Sequence, residues 1–209
     1  MSAALQLPKK TYTYEDYITW DDDVRCELID GIIYNMAAPT VRHQQVTGEI
    51  FGQLREFLKG KKCEPFISPI DVRLNADKPF KKDNNVVQPD VIVLCDPSKI
   101  DDKERSINGA PDLVIEVLSP SSSLKDRNLK YAKYLEAGVR EFWIVDIHNQ
   151  LIEVNAFEDG PHIRFIHNIT DTVPVRILEG CTIDINDVLP PIKHEELPQW
   201  TEPGEPEVI

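Results

Sequence analysis

The chain has 209 residues, of which 41% are hydrophobic and 28% are charged, a composition typical of a globular protein with a buried core. Its 23 basic and 36 acidic residues give a net charge of −13, so the composition indicates no basic surface for nucleic acid or membranes. No apolar run approaches the ~20 residues that span a bilayer, and the first residues lack the apolar region of a secretory signal. We therefore expect a cytoplasmic protein with no membrane partner.

Local patterns predict alternating helices and strands. The predicted elements are a helix over 14–20, a hairpin over 26–34, a helix over 40–58, strands over 70–74, 91–94 and 113–118, a helix over 124–137, and strands over 141–147, 151–157 and 163–166. Asp30-Gly31 supplies the tight turn of the hairpin. Apolar residues at steps of three and four predict the helix over 40–58. The continuous apolar runs at 91–94 and 113–118 are typical of central strands that are covered on both faces.

We expect one domain over 1–189 and a tail over 190–209. The tail contains five Pro, five Glu and one Lys, which predicts an acidic segment that is unstructured or wraps the surface. The four cysteines form no Cys-x-x-Cys pair. This spacing predicts neither a zinc site nor a disulfide framework, but buried thiols in a reducing compartment.

One ionisable residue, Glu116, lies inside the apolar run Leu113–Leu118. An unpaired buried carboxylate costs several kcal/mol, about 3–5 by analogy with a broken buried ion pair, so Glu116 needs a partner. Asp112 lies four residues away, roughly 13 Å along a strand at ~3.3 Å per residue, which is too far to share a metal. Asp90 begins the other apolar run and would face Glu116 at ~5 Å if the two strands pair.

Two carboxylates on neighbouring strands suit Mg²⁺, which completes its octahedron with water and substrate phosphate. Such an ion polarises a phosphoryl oxygen and activates water, so the pair indicates phosphodiester hydrolysis. The spacing alone is equally compatible with Glu116 in a structural ion pair to Arg or Lys.

A longer set of residues resembles the bacterial Uma-two family of restriction-endonuclease-type nucleases, within the PD-(D/E)XK superfamily. The matching residues are Glu27 to Gly31, His43, Gln88 to Asp90, Glu116 to Ser121, Asp126, Lys130, Tyr134 and Gly138 to Asp146. The resemblance covers roughly residues 12–157. It implies an α/β fold with a mixed central sheet flanked by helices, Asp90 and Glu116 as ligands of Mg²⁺ or Mn²⁺, and DNA as the partner.

The superfamily's lysine normally follows the glutamate by two residues, where it stabilises charge on the phosphate. Leu118 occupies that position here. In some branches the following helix supplies the lysine, and Lys130 fits this pattern, with Lys125 as the less favoured substitute. The alternative for Lys130 is an exposed pair with Asp126, four residues earlier on the same helical face.

The resemblance adds three further candidate site residues, each with an ordinary alternative. Glu27 would point towards the site as another acidic group, or lie on a strand surface. His43 could contact phosphate or a water on the metal, since imidazole titrates near neutrality, or be a solvated residue at a helix start. Gln88 shares strand parity with Asp90 and could bind water or substrate.

The resulting hypothesis is a Mg²⁺- or Mn²⁺-dependent endonuclease that acts on DNA. The charge of −13 argues against it, because affinity for nucleic acid depends on Lys and Arg, unless lysines such as Lys61, Lys62 and Lys133 form a local basic rim. The alternative is a catalytically weak or inactive nuclease-fold module that binds or regulates, and a weaker third is a phosphohydrolase of small substrates. A homodimer would suit cleavage of both DNA strands.

Overall fold

The computed structural model describes residues 11–20, 25–101, 103, 105–118, 125–157 and 163–186, so the predicted tail over 190–209 lies outside the described residues. In chain order the elements are α1 (Tyr14–Tyr17), β1 (Cys26–Ile29), β2 (Ile32–Asn35), α2 (Val41–Leu58), β3 (Glu64–Ile67), β4 (Asp71–Arg73), β5 (Val86–Val87), β6 (Val91–Leu94), a 3-10 turn (Pro97–Lys99), β7 (Ile100–Asp101), β8 (Ser106–Asn108), β9 (Leu113–Val117), a π-helical segment (Lys125–Lys130), α3 (Tyr131–Ala137), β10 (Glu141–Asp146), β11 (Leu151–Ala156), β12 (Ile163–Asn168), β13 (Val173–Pro174) and β14 (Thr182–Ile183). Within this part of the chain, no helix has the length and apolar character needed to cross a bilayer.

The strands form two mixed six-stranded sheets and one small hairpin of β13 and β14. The central sheet has the order β12-β11-β10-β9-β6-β3, and its only parallel pair among the described strands is β9 with β10. The second sheet, called the outer sheet below, has the order β2-β1-β5-β4-β8-β7. The mixed α/β class is as predicted, but one central sheet was expected. Strands of two or three residues, such as β5 and β8, carry too little periodicity to be recognised from sequence.

Each face of the central sheet is buried by a different layer. On one face, α2 packs its fully buried Val46, Ile50 and Leu54 against residues such as Ile115 and Trp143. The outer sheet and α3 cover the other face. Because both faces are covered, β9 and β10 are buried throughout, which explains their continuous apolar sequences.

Several local predictions are confirmed. The turn between β1 and β2 has positive φ at both Asp30 (51°) and Gly31 (75°), as a tight hairpin requires. Helix α2 begins after Thr40, whose side chain accepts the His43 N–H at 3.2 Å. The helix predicted over 124–137 is instead a π-helical segment followed by α3, with Lys130 as the last residue before α3.

The prediction of no disulfide is wrong, because Cys63 and Cys95 are bonded. Strands β3 and β6 pair antiparallel with Glu64 opposite Leu94. Cys63 precedes Glu64 and Cys95 follows Leu94, so this pairing brings the two cysteines opposite each other. The two cysteines are 32 residues apart, and only the strand pairing brings them together. Cys26 and Cys181 are buried free thiols, as expected.

Candidate active site

The candidate site lies at the edge of the central sheet where β9 ends and β6 begins. These strands pair antiparallel, with Val91 opposite Ile115 as the last pair at this end. Asp90 and Glu116 are the next residues on the two strands. The strand pairing that the sequence argument required is therefore present, and it brings both carboxylates to the same end of the sheet.

Lys130 lies between two buried carboxylates. Its Nζ is 2.7 Å from Glu27 Oε1 and 2.8 Å from Glu116 Oε1. The three residues are 2%, 0% and 3% exposed respectively. Glu27 comes from β1 of the outer sheet and Glu116 from β9 of the central sheet, so the ammonium group links the two layers. The exposed-pair interpretation of Lys130 is therefore wrong, since a side chain with this burial is not on the surface.

Tyr134, for which no role was predicted, completes this buried cluster. Its hydroxyl donates to Glu116 Oε1 at 2.6 Å, the same oxygen that accepts from Lys130. Burial, followed by the negative charge of Glu116, raises the pKa of Tyr134 well above its ordinary value. The hydroxyl therefore remains a donor. The spacing of four residues between Lys130 and Tyr134 was the available signal, because it puts both side chains on one side of the segment.

Asp90 is the most accessible carboxylate of the site, with a side chain that is 17% exposed. Its Oδ2 accepts the backbone N–H of Val117 at 2.8 Å and lies 3.2 Å from His43 Nε2. Among the described residues, Oδ1 of Asp90 has no hydrogen-bond partner. One oxygen is thus fixed by the protein and the other is available for a ligand.

His43 reaches this end of the sheet from the first turn of α2. Its Nε2 is 2.9 Å from the carbonyl oxygen of Val117, in addition to its contact with Asp90. Its Nδ1 lies 3.4 Å from the hydroxyl of Thr47, one turn further along the helix. The side chain is 9% exposed, so the expected solvated residue at a helix start is not what the structure contains.

Gln88 contributes to the site through its backbone. Its N–H donates to Glu27 Oε1 at 3.0 Å, the oxygen that also contacts Lys130. Its side-chain amide instead donates to Asp71 Oδ1 at 2.8 Å and to the Tyr17 hydroxyl at 3.3 Å. The side chain that was expected to accompany Asp90 therefore lies with Asp71 and Tyr17. Its Oε1 is buried, with no hydrogen-bond partner within the described part of the chain.

The charges and donor atoms of the site fit a divalent cation. When ionised, Glu27, Glu116 and Asp90 carry three negative charges against the single ammonium of Lys130, and such an excess is costly where water is largely excluded. No cluster of three or more His, Cys, Asp or Glu side chains suited to a metal occurs among the described residues. Mg²⁺ does not need one, because one or two carboxylates with water and phosphate complete its coordination. Asp90, with its unpartnered Oδ1, and Glu116 are the oxygen donors that fit.

Two of the lysines proposed for a basic rim lie far from the site. Lys61 and Lys62 follow the C-terminal end of α2, whereas His43 lies at its start, about 22 Å away at ~1.5 Å per residue. Lys133 pairs with Asp30 at 2.9 Å and Glu136 at 3.0 Å. Lys61 and Lys62 therefore do not border the site.

The site thus places Asp90, Glu116 and Lys130 at one end of the central sheet of a mixed α/β fold. The model of the Uma2 family, described as "Putative restriction endonuclease", matches residues 14–186, and the chain belongs to that family. The resemblance seen in the sequence is thereby confirmed.

Two curated relatives come from Synechocystis sp.. "Uncharacterized protein slr1290" is 26% identical over 167 residues, which cover 78% of this chain and 83% of the relative. "Uncharacterized protein sll1609" is 26% identical over 140 residues, covering 66% and 76%. A crystal structure described as "a putative nuclease belonging to DUF820 from Anabaena variabilis ATCC 29413" matches with a TM-score of 0.67 at 18% identity, covering 85% of this chain and 97% of that one. This structure shares the fold.

Proposed function

We propose that the protein is a Mg²⁺- or Mn²⁺-dependent endonuclease that hydrolyses phosphodiester bonds in DNA. The observation that carries the proposal is the Lys130 ammonium, held at 2.7 and 2.8 Å by Glu27 and Glu116 at the sheet end that also bears Asp90. Membership of the Uma2 family supports the reaction class. The proposal assigns the lysine function to Lys130 and leaves Leu118 as a core residue, 8% exposed. The side chain of Lys125 lies outside the described residues.

Asp90 and Glu116 would hold the cation. When bound, the cation supplies Lewis-acid chemistry, since it polarises a phosphoryl oxygen and makes water a stronger acid. Asp90 presents Oδ1, while its other oxygen accepts the Val117 N–H and lies 3.2 Å from His43 Nε2. Glu116 is oriented by the two donors on its Oε1, Lys130 and Tyr134.

Lys130 serves as a fixed positive charge. Two carboxylate oxygens accept from its Nζ, so the ammonium acts as a charged hydrogen-bond donor. A preorganised ammonium stabilises the negative charge that develops on a phosphate during cleavage. Glu27 is a positioning residue in this scheme, because it holds Lys130 from the opposite layer.

DNA is the proposed substrate class, and cleavage of both strands of a duplex would be carried out by a homodimer with two-fold related sites. The acidic chain should bind DNA weakly without its cation, since few lysines are available to displace counterions. The oligomeric state can be measured by light scattering during gel filtration, with and without DNA.

A nuclease-fold module that binds without cleaving is the second candidate. Leu118 in the usual lysine position and the net charge of −13 favour it. The two candidates differ in turnover, because only the endonuclease releases cut DNA.

The test incubates purified protein with supercoiled plasmid and with linear DNA, in Mg²⁺, in Mn²⁺ and in EDTA. Asp90→Asn is the informative variant, because an amide oxygen still accepts the Val117 N–H while the negative charge is removed. Lys133→Met, which removes a lysine three residues from Lys130, is the matched control.

We expect metal-dependent cleavage by the wild type and by Lys133→Met, and cleavage at the EDTA level by Asp90→Asn. Equal cleavage by wild type and Asp90→Asn would contradict the proposed site. No cleavage under any condition, with retained DNA binding, would favour the binding module.

A further inference from the structure

His43 connects the two strands that carry the candidate metal ligands. One imidazole nitrogen, Nε2, contacts the carbonyl oxygen of Val117 on β9 at 2.9 Å and Oδ2 of Asp90 before β6 at 3.2 Å. A carbonyl oxygen can only accept, so the Nε2 that bonds to Val117 carries the hydrogen. The ring therefore bonds to the end of one strand and contacts the carboxylate at the start of the other.

The orientation of the ring is set by its own helix. The Thr47 hydroxyl lies 3.4 Å from Nδ1, and the backbone N–H of His43 donates to the Thr40 side chain that caps α2. Val46 and Ile50, on the same helix, are fully buried against the central sheet. The imidazole is thus attached to a packed element and not to a loop.

This arrangement has a specific effect on Asp90. The Val117 N–H donates to Oδ2, and His43 Nε2 lies 3.2 Å from the same oxygen. The carboxylate is thus restrained through Oδ2 by the Val117 N–H and by its contact with the imidazole, while Oδ1 has no hydrogen-bond partner among the described residues. A carboxylate restrained in this way loses less conformational entropy when it binds a cation.

We propose that His43 is a positioning residue, which fixes Asp90 so that Oδ1 can bind the divalent cation, and that it does not contact the phosphate of the substrate. The inference rests on the proposed metal site and deepens it. A phosphate contact would need a ring N–H directed to the substrate, but Nε2 is occupied by two protein oxygens and the side chain is 9% exposed.

The test measures Mn²⁺ affinity without DNA, by electron paramagnetic resonance of the free ion. His43→Leu removes the donor. His43→Gln restores an NH₂ group at the end of a side chain of similar reach, and Thr47→Val removes only the hydroxyl beside Nδ1. Asp90→Asn serves as the reference for loss of the site, and circular dichroism checks the fold of each variant.

We expect His43→Leu to weaken Mn²⁺ binding by about 10- to 100-fold, the usual effect of losing a group that orients a metal ligand. His43→Gln should recover most of the affinity, and Thr47→Val should lose several-fold. If His43 served only to stabilise the fold, the folded His43→Leu and His43→Gln variants would bind Mn²⁺ with the same affinity. If His43→Leu does not fold, Thr47→Val decides: a several-fold loss beside near-wild-type affinity in His43→Gln supports the inference, and wild-type affinity in Thr47→Val overturns it.

Wild-type Mn²⁺ affinity in folded His43→Leu, with binding lost in Asp90→Asn, would overturn this inference and leave the metal site intact. So would unchanged affinity in every His43 variant together with a raised KM for DNA, which indicates a phosphate contact. Wild-type affinity in Asp90→Asn would instead overturn the metal site itself, and this inference with it.

Discussion

Replacing Lys130 with methionine should destabilise the protein strongly. Methionine fills a similar volume but carries no charge, so Glu27 and Glu116 would remain buried without the ammonium that now lies at 2.7 and 2.8 Å from them. The Tyr134 hydroxyl on Glu116 and the Gln88 N–H on Glu27 are neutral donors and do not replace the charge of the ammonium.

The magnitude follows from the burial of the partners. The side chains of Lys130, Glu27 and Glu116 are 3%, 0% and 4% exposed, so solvent cannot replace the lost ion pair. Breaking a buried pair by removing one partner costs about 3–5 kcal/mol. For a chain of this size each kcal/mol lowers Tm by about 2–4 °C, which predicts a decrease of roughly 6–20 °C.

Urea unfolding followed by circular dichroism measures the change. Lys133→Met is the control, because its ion pairs involve partners whose side chains are 55% and 66% exposed and should contribute at most about 1 kcal/mol. Adding Glu27→Gln to Lys130→Met should recover part of the loss, with a coupling energy of about 0.5–3 kcal/mol. A loss below about 1 kcal/mol in Lys130→Met would refute the argument, since that is the value of an exposed pair.

Three further predictions concern stability, each measured by urea unfolding. Tyr134→Phe keeps the buried ring but removes the donor to Glu116, and should cost about 1.5–3 kcal/mol; a neutral result would contradict the hydrogen bond. Burial raises the pKa of Glu141 above its ordinary value of 4.5. Its contribution to the free energy of unfolding is therefore complete below pH 4.5 and is lost as the pH rises through the raised pKa. The unfolding free energy of wild type relative to Glu141→Gln should therefore fall from pH 4.5 towards neutrality, and a constant difference would refute this. Gly31→Ala should lower the free energy of unfolding more than Gly138→Ala, although both glycines have positive φ. A Cβ at Gly31 would lie 3.0 Å from the Tyr12 carbonyl oxygen, whereas a Cβ at Gly138 would have no atom within 4 Å. Equal losses in the two variants would exclude the clash at Gly31.

Local chemistry made much of the fold predictable. The hairpin turn at Asp30-Gly31, the amphipathic pattern of α2 and the apolar runs of β6 and β9 each derive from neighbouring residues, and each matches the structure. The outer sheet was not predictable as a separate layer, because its short strands β5, β7 and β8 depend on tertiary pairing. The disulfide between Cys63 and Cys95 was missed for the same reason.

For the site, spacing indicated which residues to consider but not how they are paired. Asp90 and Glu116 were found because a carboxylate interrupts or begins an apolar strand. Glu27 and Lys130 come from two different layers, so no periodic pattern in the sequence predicts their contact. The alternation of side chains along a strand placed Gln88 on the same side as Asp90 but did not predict its contacts. Its side chain donates to Asp71, while its backbone N–H donates to Glu27.

The end of the β6–β9 ladder has a chemical origin in one imino acid. Continuing the register from Val91 and Ile115 by two residues would set Pro89 opposite Val117. Proline has no N–H to donate to the Val117 carbonyl, so the hydrogen-bonded pairing of the two strands ends here. The amide and carbonyl of Val117 are thereby left for Asp90 and His43. Because the strand pairing ends at Pro89, the backbone of Val117 is able to bind both the Asp90 carboxylate and the His43 imidazole.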